Sequence, residues 1–567
     1  MGAICGILGK CDTTLVDRMA HALRHRGDVQ YRETGETYAL AASEKATRCC
    51  VIDGDPRDDQ DTPLAPLALT ICLKKGIVPC RGAFAAVVGS DDGKEWWLLR
   101  DRLGRRPLYY CIRNGSLLFA SELKALLATG VVSRHLNLPS VDRYFTLRCV
   151  PGPESIVQDV FRVPPGQAIH YGADGIELIQ TTPFDLSMKR VTKEQAAAEV
   201  RDRLRDAATG TPPSVLLWSA GVDCAALAAL RPDLQPLFVN LEQGWQDEMR
   251  LARESARRMG IALEPVQARR LTEKTFSEVV RSLDEPFADA SVFPLWLILE
   301  QVATQDDCAI SGHGADELLG GYPRYHFLQK AQGAKGLVPT NQVAGLLPSL
   351  PPNAFVRRGS RYLAEIKNSV SAYLSILSVF DNEERDLLYT DAMKASLHEH
   401  HDANDVVRAH FTDSDLTRNI QSLDIGVMIP DLLVACCERI GAAQGVTLTF
   451  PYLDDRLVDL AVSLPPEVKY GVRSKPLLRS AMKGLLPARI RQRARRGFRI
   501  PKDGRLAGLI DNMIQQIITP ERVDGTGLFK WPYVAQILRS AQHNVFRRRQ
   551  FWALLMFFAW YKEVMED

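Results

Sequence analysis

Two short apolar runs, each cut off by a small-residue turn and followed at once by a helical pattern, narrow what this chain can fold into. Val215-Leu216-Leu217-Trp218 runs into Ser219-Ala220-Gly221 and then an Ala/Leu stretch. Cys308-Ala309-Ile310 runs into Ser311-Gly312-His313-Gly314, then Ala315-Asp316-Glu317. Between them Pro236-Leu237-Phe238-Val239-Asn240 reads as a further strand, ahead of a helical pattern at about 250–259. Short apolar runs alternating with helices predict a parallel sheet covered by helices on both faces. Ligands of such a sheet gather at the carboxyl ends of its strands, so both turns are expected to face one crevice.

Residues before about 185 have another texture. Ala83-Phe84-Ala85-Ala86-Val87-Val88 stops at Ser90-Asp91-Asp92-Gly93, and Trp96-Trp97-Leu98-Leu99 follows. Pro107-Leu108-Tyr109-Tyr110-Cys111-Ile112 ends at Arg113-Asn114-Gly115, and Asn-Gly between apolar runs predicts a hairpin. This half reads as antiparallel sheet with a few helices, an α+β arrangement. The second half reads as α/β and becomes mostly helical after about residue 330. The 567 residues thus divide into domains 1–185 and 190–567, with the join at 185–195.

Lys and Arg total 70 against 68 Asp and Glu, a net charge of +2 that gives no general case for nucleic acid or a membrane surface. With 46% hydrophobic and 24% charged residues, the chain is not disordered, collagenous or coiled-coil. Its twelve cysteines form no CxxC pair and no zinc spacing, and are too sparse for a disulfide scaffold. Reduced thiols in a cytoplasm are expected. The charge-free stretch 551–561 is too short to span a bilayer and is expected as a buried C-terminal helix. Neither a nucleic-acid nor a membrane partner is expected.

The turn at 218–224 opens a helix, where backbone N–H groups and the helix dipole favour an anion. Ser219 adds a hydroxyl donor, and Asp223 suits a divalent metal bridging phosphates. The turn is not a Walker loop, so a tight structural turn is the plainer alternative. At the second turn, Asp316 would complete a carboxylate pair with Asp223 for Mg²⁺. His313 has the only free pKa there near neutrality, as a general base needs; a surface loop with a capping Asp is the alternative. Lys475, in Ser474-Lys475-Pro476, is a compact cation suited to a phosphate or a developing oxyanion. The basic run at 491–499 is either a solvated face or a lid over polyphosphate.

Together these residues resemble the asparagine synthetase family, in which a class II glutamine amidotransferase-like domain precedes an ATP-pyrophosphatase synthetase domain. Ser219-Ala220-Gly221-Val222-Asp223-Cys224 is similar to the family's pyrophosphate loop, usually S-G-G-x-D-S. Further blocks are Leu283 through Asp289, Ser311 through Tyr322, Phe450-Pro451-Tyr452-Leu453-Asp454, and Lys475 through Pro501. In the first half, Leu23-Arg24-His25-Arg26-Gly27, Arg100-Asp101-Arg102-Leu103-Gly104 and Phe119-Ala120-Ser121-Glu122-Leu123-Lys124 resemble the amidotransferase pattern. The resemblance implies an α+β Ntn-hydrolase-like sandwich, then an α/β parallel-sheet ATP-pyrophosphatase domain (adenine nucleotide alpha hydrolase-like) with a helical C-terminal part.

It also implies a reaction. A substrate carboxylate attacks the α-phosphorus of ATP to give an acyl-adenylate and pyrophosphate, and an amine displaces AMP. By position, Ser219, Gly221, Asp223 and Cys224 would cradle pyrophosphate, with Ala220 and Val222 between them in the ATP-binding set. Asp223 and Asp316 would hold Mg²⁺. Trp218, Val239, Ser311 and Gly312 would line the adenosine pocket, and Lys475 would stabilise charge in both steps.

The departures from the family narrow the reaction. A glutamine-hydrolysing member needs cysteine as its first residue, because the α-amine is the base for the thiol. Here the C-G-I start is Cys5-Gly6-Ile7, behind four residues, and the N-G-E-I-Y-N block that supplies the oxyanion hole is absent. An inactive glutaminase is expected, with Cys5 a packed relic unless processing frees it. Ala220 and Cys224 replace Gly and Ser in the loop, which is tolerable if Ala220 does not need φ > 0, although a thiol donates weakly. His313 stands where glutamine-dependent members have Glu. The expected reaction is therefore amide formation with an amine of the same or a second substrate, as in lasso-peptide cyclases and β-lactam synthetases. The substrate would be a small-molecule or peptide carboxylate, with a precursor-peptide processing partner. The alternatives are a glutamine-dependent amidotransferase using Cys5 and a non-catalytic scaffold.

Overall fold

The structure is a computed structural model that describes residues 2–566 apart from 59, 67, 70–80, 182, 211–214, 241–245, 264, 326–353, 367, 399–402, 472, 494–512 and 542–544.

The first half is built on two six-stranded antiparallel sheets. One runs, in spatial order, Phe161–Arg162, Tyr109–Arg113, Ser116–Ala120, Ile4–Leu8, Tyr38–Ala42, Tyr31–Thr34. The other runs Gly175–Gln180, Gln167–Gly172, Trp96–Arg100, Phe84–Gly89, Cys50–Gly54, Lys45–Thr47. The strands read as unbroken apolar runs because several are buried on both faces. Ile4, Leu8, Leu40 and Phe119 point into the layer shared with Val51, Val87 and Leu98 of the second sheet. Cys5, Ile7, Ala39, Ala41 and Leu118 point the other way, against the helices Thr13–Ala22, Leu123–Ala128 and Leu138–Leu147. A Cβ on Gly6 would lie 2.6 Å from the Ala39 carbonyl oxygen, so only glycine lets these strands close. The hairpin at Asn114-Gly115 is present, both residues having positive φ (53° and 77°), as a tight turn between right-twisted strands needs.

The last strand of this sandwich ends at Gln180, and the next element is the helix Lys193–Thr209, opened by a capping box between Thr192 and Gln195. A four-stranded parallel sheet follows, in the order Gln235–Leu237, Val215–Leu217, Cys308–Ile310, Thr447–Thr449. Val215 and Ala309 face one helical layer, and Leu216 and Ile310 the other. Two details differ from the sequence reading. The run at 236–240 is two strands, because Val239–Asn240 leaves the sheet to pair with Val266–Gln267. The fourth strand, Thr447–Thr449, comes from the part read as mostly helical; three residues are too few to show a period of two.

The helix Val545–Trp560 is buried along 551–560, as expected. Among the described residues the helical run Leu416–Gln444, rather than 551–561, is long and apolar enough to cross a membrane, and 72% of its apolar window is buried inside the protein. It is the central helix of the fold, and its charged residues are ion-paired inside the protein. Asp431 accepts from Arg162 (3.0 Å) and from the Gly152 N–H (2.9 Å) of the sandwich. Glu438 binds Arg26 and lies 3.5 Å from Arg106. Arg439 reaches Glu285 (3.3 Å) and the Tyr109 hydroxyl, which itself donates to Glu285 (2.7 Å). A further seam joins Arg105 to Asp455 (2.9 Å) and Arg102 to Asp459 (2.7 Å).

Burial gives these pairs leverage when one partner is lost. Arg162→Met leaves Asp431 buried with the Gly152 N–H but without its guanidinium, and Glu285 with Arg439 alone as its cation, which costs about 3–5 kcal/mol. Urea denaturation should show that loss, and adding Asp431→Asn should restore part of it. A variant within about 1 kcal/mol of the parent would mean that the seam is solvated.

Candidate active site

The site lies where the two central strands of the parallel sheet end side by side. Trp218 continues the first strand, its N–H donating to the Leu237 carbonyl (2.9 Å) and its indole N–H to Ala252 (3.2 Å). Ser219 is exposed, and its hydroxyl accepts from the Gly221 N–H (3.2 Å) and meets the Cys224 thiol at 3.2 Å. Gly221 caps the nine-residue helix Val222–Leu230 in an extended conformation, which places Asp223 in the first turn. Ala220 is not among the residues with positive φ, so alanine fits the turn without strain. Burial raises the Cys224 pKa, so the thiol stays protonated and serves as a weak donor. Val239 is buried at the neighbouring strand pair.

The second turn touches the first. A Cβ on Gly312 would sit 3.1 Å from Asp223 Cβ and 3.5 Å from the Cys224 nitrogen, so the approach is set by a glycine. Buried Ser311 donates its N–H to Thr449 (3.0 Å), and its hydroxyl lies 2.5 Å from His313 Nδ1. Burial lowers the His313 pKa, Asp316 opposes that shift, and Lys475 adds to it; the ring is neutral at pH 7, the form that accepts a proton. Tyr452, wholly buried, donates to the Asp223 carbonyl (3.1 Å).

Lys475 closes the arrangement. Its Nζ lies 2.6 Å from Asp223 Oδ2 and 2.8 Å from Asp316 Oδ1, with the side chain 3% exposed. Burial works against the ammonium, but Asp223 and Asp316 outweigh it and hold the pKa above its ordinary value. Lys475 has left-handed backbone angles (φ 52°, ψ 49°), rare for a residue with a Cβ and a form of strain that collects at functional positions. Arg479 holds this turn through the Ser474 carbonyl (2.6 Å) and the Arg493 carbonyl (2.9 Å). A Cβ on Gly321 would fall 1.7 Å from Asp316 Oδ1 and 2.4 Å from Lys475 Cε, so this position must be glycine for the cluster to form.

Asp223 and Asp316 thus reach one cation, and hard carboxylate oxygens suit Mg²⁺. Among the described residues no group of three or more His, Cys, Asp or Glu forms a metal cage, so phosphate oxygens and water would complete the shell. Arg493 reaches the Ala220 carbonyl (3.2 Å), while the rest of the basic run, 494–499, lies outside the described residues.

Cys5 sits mid-strand in the sandwich, 2% exposed, its thiol pushed up to about 12 by burial. Residues 2–4 are woven into the fold ahead of it: the Gly2 carbonyl accepts from Arg26 (2.8 Å), and the Ala3 and Ile4 N–H groups donate to Ser43 (2.8 Å) and Ser121 (3.0 Å). The Leu283–Asp289 block lies at the seam between the halves, where Asp284 accepts from the Lys124 N–H (2.9 Å) and Glu285 from the Ile156 N–H (2.9 Å).

The motif reading set Glu317, Gly321, Tyr322 and Tyr452 within its blocks, Ser311 through Tyr322 and Phe450 through Asp454, but assigned none of them a role. Glu317 is buried beside Asp316 and accepts from the Tyr322 hydroxyl (2.5 Å). Burial, and then Asp316, raise its pKa to about 7.

A family model described as asparagine synthase matches residues 198–562, well over half of the chain, and one for a glutamine amidotransferase domain matches residues 73–184. The chain belongs to the asparagine synthase family: it is an ATP-dependent carbon–nitrogen ligase that yields AMP and pyrophosphate. Among its relatives is asparagine synthetase [glutamine-hydrolyzing] 1 of Bacillus subtilis, 26% identical over 89% of this chain and 81% of that protein. A putative asparagine synthetase of Mycobacterium tuberculosis is 24% identical over 74% and 67%. Amidase chyE of Penicillium rubens is 22% identical over 81% and 76%.

Glu317 gives the site a pH signature in stability. Its folded pKa of about 7 exceeds the ordinary 4.5, so the folded state binds the additional proton between those values. Its contribution is fully present below 4.5 and is lost as pH rises through 7. Unfolding midpoints at pH 5 and pH 8 should therefore fall more steeply for the parent than for Glu317→Gln; parallel profiles would show that Glu317 titrates normally.

Proposed function

We propose that the chain adenylates a substrate carboxylate with ATP and Mg²⁺ and joins it to an amine of the same or a second substrate, without using glutamine. The observation that carries this is Lys475 held between Asp223 and Asp316 at the ends of two adjacent parallel strands. The first-turn N–H groups of Val222–Leu230 and the Ser219 hydroxyl offer donors to pyrophosphate. Asp223 and Asp316 would hold Mg²⁺, which when bound neutralises charge on the phosphates. Lys475, charged and shielded from water, stabilises the negative charge that develops as the carboxylate attacks and again as the amine adds. His313, neutral and half-buried, takes the proton from the attacking ammonium. Trp218, Val239, Ser311 and Gly312 serve the adenosine side of the same crevice.

Cys5 supports an amine source other than glutamine. A thiol with a pKa near 12, preceded by chain and buried in a strand, lacks the free α-amine that activates such nucleophiles. This supports an amine source other than glutamine, whose hydrolysis the names of several relatives state for those proteins. The lactam-forming version of the reaction, as in lasso-peptide cyclases, takes a peptide carboxylate and needs a peptide-processing partner. The reduced thiols and balanced charge suit a cytoplasmic enzyme that binds neither nucleic acid nor membrane. A scaffold would have no use for a buried lysine between two carboxylates.

Two measurements test this reading. Pyrophosphate release from ATP with candidate carboxylates should fall at least about 100-fold in Lys475→Ala and in Asp223→Ala, with folding intact by circular dichroism; unchanged release would remove both residues from the chemistry. The intact mass of the purified protein should retain residues 2–4, and a mass corresponding to a Cys5 start would restore the glutaminase reading.

A further inference from the structure

Asp316 sits on a helix of only five residues, Ala315–Leu319, bracketed by Gly314 and Gly320, both with left-handed backbone angles. A helix so short does not hold its shape alone. With glycine at either end, the neighbouring chain does not fix its direction either. Its aim must come from whatever binds its carbonyl groups, which the end of a helix leaves without internal partners.

Two of those carbonyls tie the helix to the reaction centre. The Asp316 carbonyl accepts from the Gly321 N–H (2.8 Å), and the Gly320 carbonyl accepts from the Lys475 N–H (3.2 Å). The other two lead to the central helix. The Leu318 carbonyl accepts from Gln421 Nε2 at 3.3 Å. The Glu317 carbonyl lies 3.1 Å from the Tyr325 hydroxyl, which donates to Asp424 Oδ2 at 2.5 Å. Gln421 and Asp424 are three residues apart on one helix and so share a face. Each is held in turn by a cation. Arg324 Nη2 lies 2.6 Å from both carboxylate oxygens of Asp424. Lys469 Nζ donates to Gln421 Oε1 (2.5 Å) and to the Ala461 carbonyl (2.6 Å). Gln421, Asp424, Tyr325 and Lys469 are all buried.

Lys469 is the informative member of this set. Among the described residues no carboxylate pairs with it, and burial lowers its pKa to about 7, with Arg418 adding to the shift and Asp415 opposing it. A lysine placed where its charge is disfavoured costs stability. What the fold gains is the orientation of one amide. With its oxygen fixed by Lys469, Gln421 must turn its NH₂ towards Leu318. We propose that Gln421 and Asp424 are positioning residues for the adenylation centre: from the central helix they set the direction of Ala315–Leu319, and with it Asp316 and the turn of Lys475. This role rests on the reading in which Asp316 and Lys475 serve adenylation.

The test is Gln421→Glu in the full-length protein. The new carboxylate gives Lys469 a counter-ion, so the urea midpoint should stay at or above that of the parent. It has no N–H for the Leu318 carbonyl, so the short helix loses that hold. Pyrophosphate release at saturating ATP should fall about tenfold or more, with the KM for ATP within about twofold, because the loop at 219–224 is untouched. Amides at 315–321 should exchange with solvent about tenfold faster, while exchange along the rest of the central helix is unchanged. Tyr325→Phe removes the second hold and should reproduce the effects on kcat and on exchange at 315–321. A kcat within about twofold of the parent in both variants, unchanged exchange at 315–321, or faster exchange throughout the central helix would overturn the proposal. If the parent itself releases no pyrophosphate with any carboxylate, the ligase reading falls, and exchange at 315–321 still decides whether Gln421 and Asp424 hold the helix.

Discussion

The charged side chains along one central helix hold the two halves of this protein in register. Within Leu416–Gln444, Asp431, Glu438 and Arg439 each leave an apolar helix to meet a partner on the sandwich. In the interior such pairs add little net stability, but a mismatched partner costs several kcal/mol. They therefore act as a register lock: one docking satisfies them, and a shifted docking strands charges in the core. The helix looks fit for a membrane by composition, yet its ionic partners lie inside the protein.

That seam explains why residues of an amidotransferase pattern persist in a half whose cysteine is buried. Arg26 binds Glu438, Glu122 (2.9 Å) and Asp53 (3.1 Å); Arg102 binds Asp459. The Leu283–Asp289 block, which resembles a synthetase signature, likewise spends Asp284 and Glu285 on the sandwich. In this chain the motifs hold one half against the other, and Cys5 lies buried inside the strand Ile4–Leu8.

How much was legible depended on whether a feature is local. The strand-turn-helix units, the Asn114-Gly115 hairpin and the buried 551–560 helix follow from periodicity and turn chemistry within a few residues. Asp223 and Asp316 were legible too, because each sits just beyond an apolar run that forces it to a strand end. Thr447–Thr449 was not, since three residues carry no usable period, and neither was the break of 236–240 into two sheets, which pairing partners decide. Glu317 was in plain view, yet its raised pKa comes from burial beside Asp316, which no spacing reveals.

The sequence by itself determined the family, the two architectures and the turns at the ends of the parallel strands, because turn glycines, apolar runs and motif spacing are properties of neighbouring residues. Only the tertiary structure decided that Lys475 lies between Asp223 and Asp316, 252 residues from the first of them. It also decided that Cys5 is sealed in a strand. These are contacts across the chain, set by how two sheets and one helix pack, and local sequence carries no record of them.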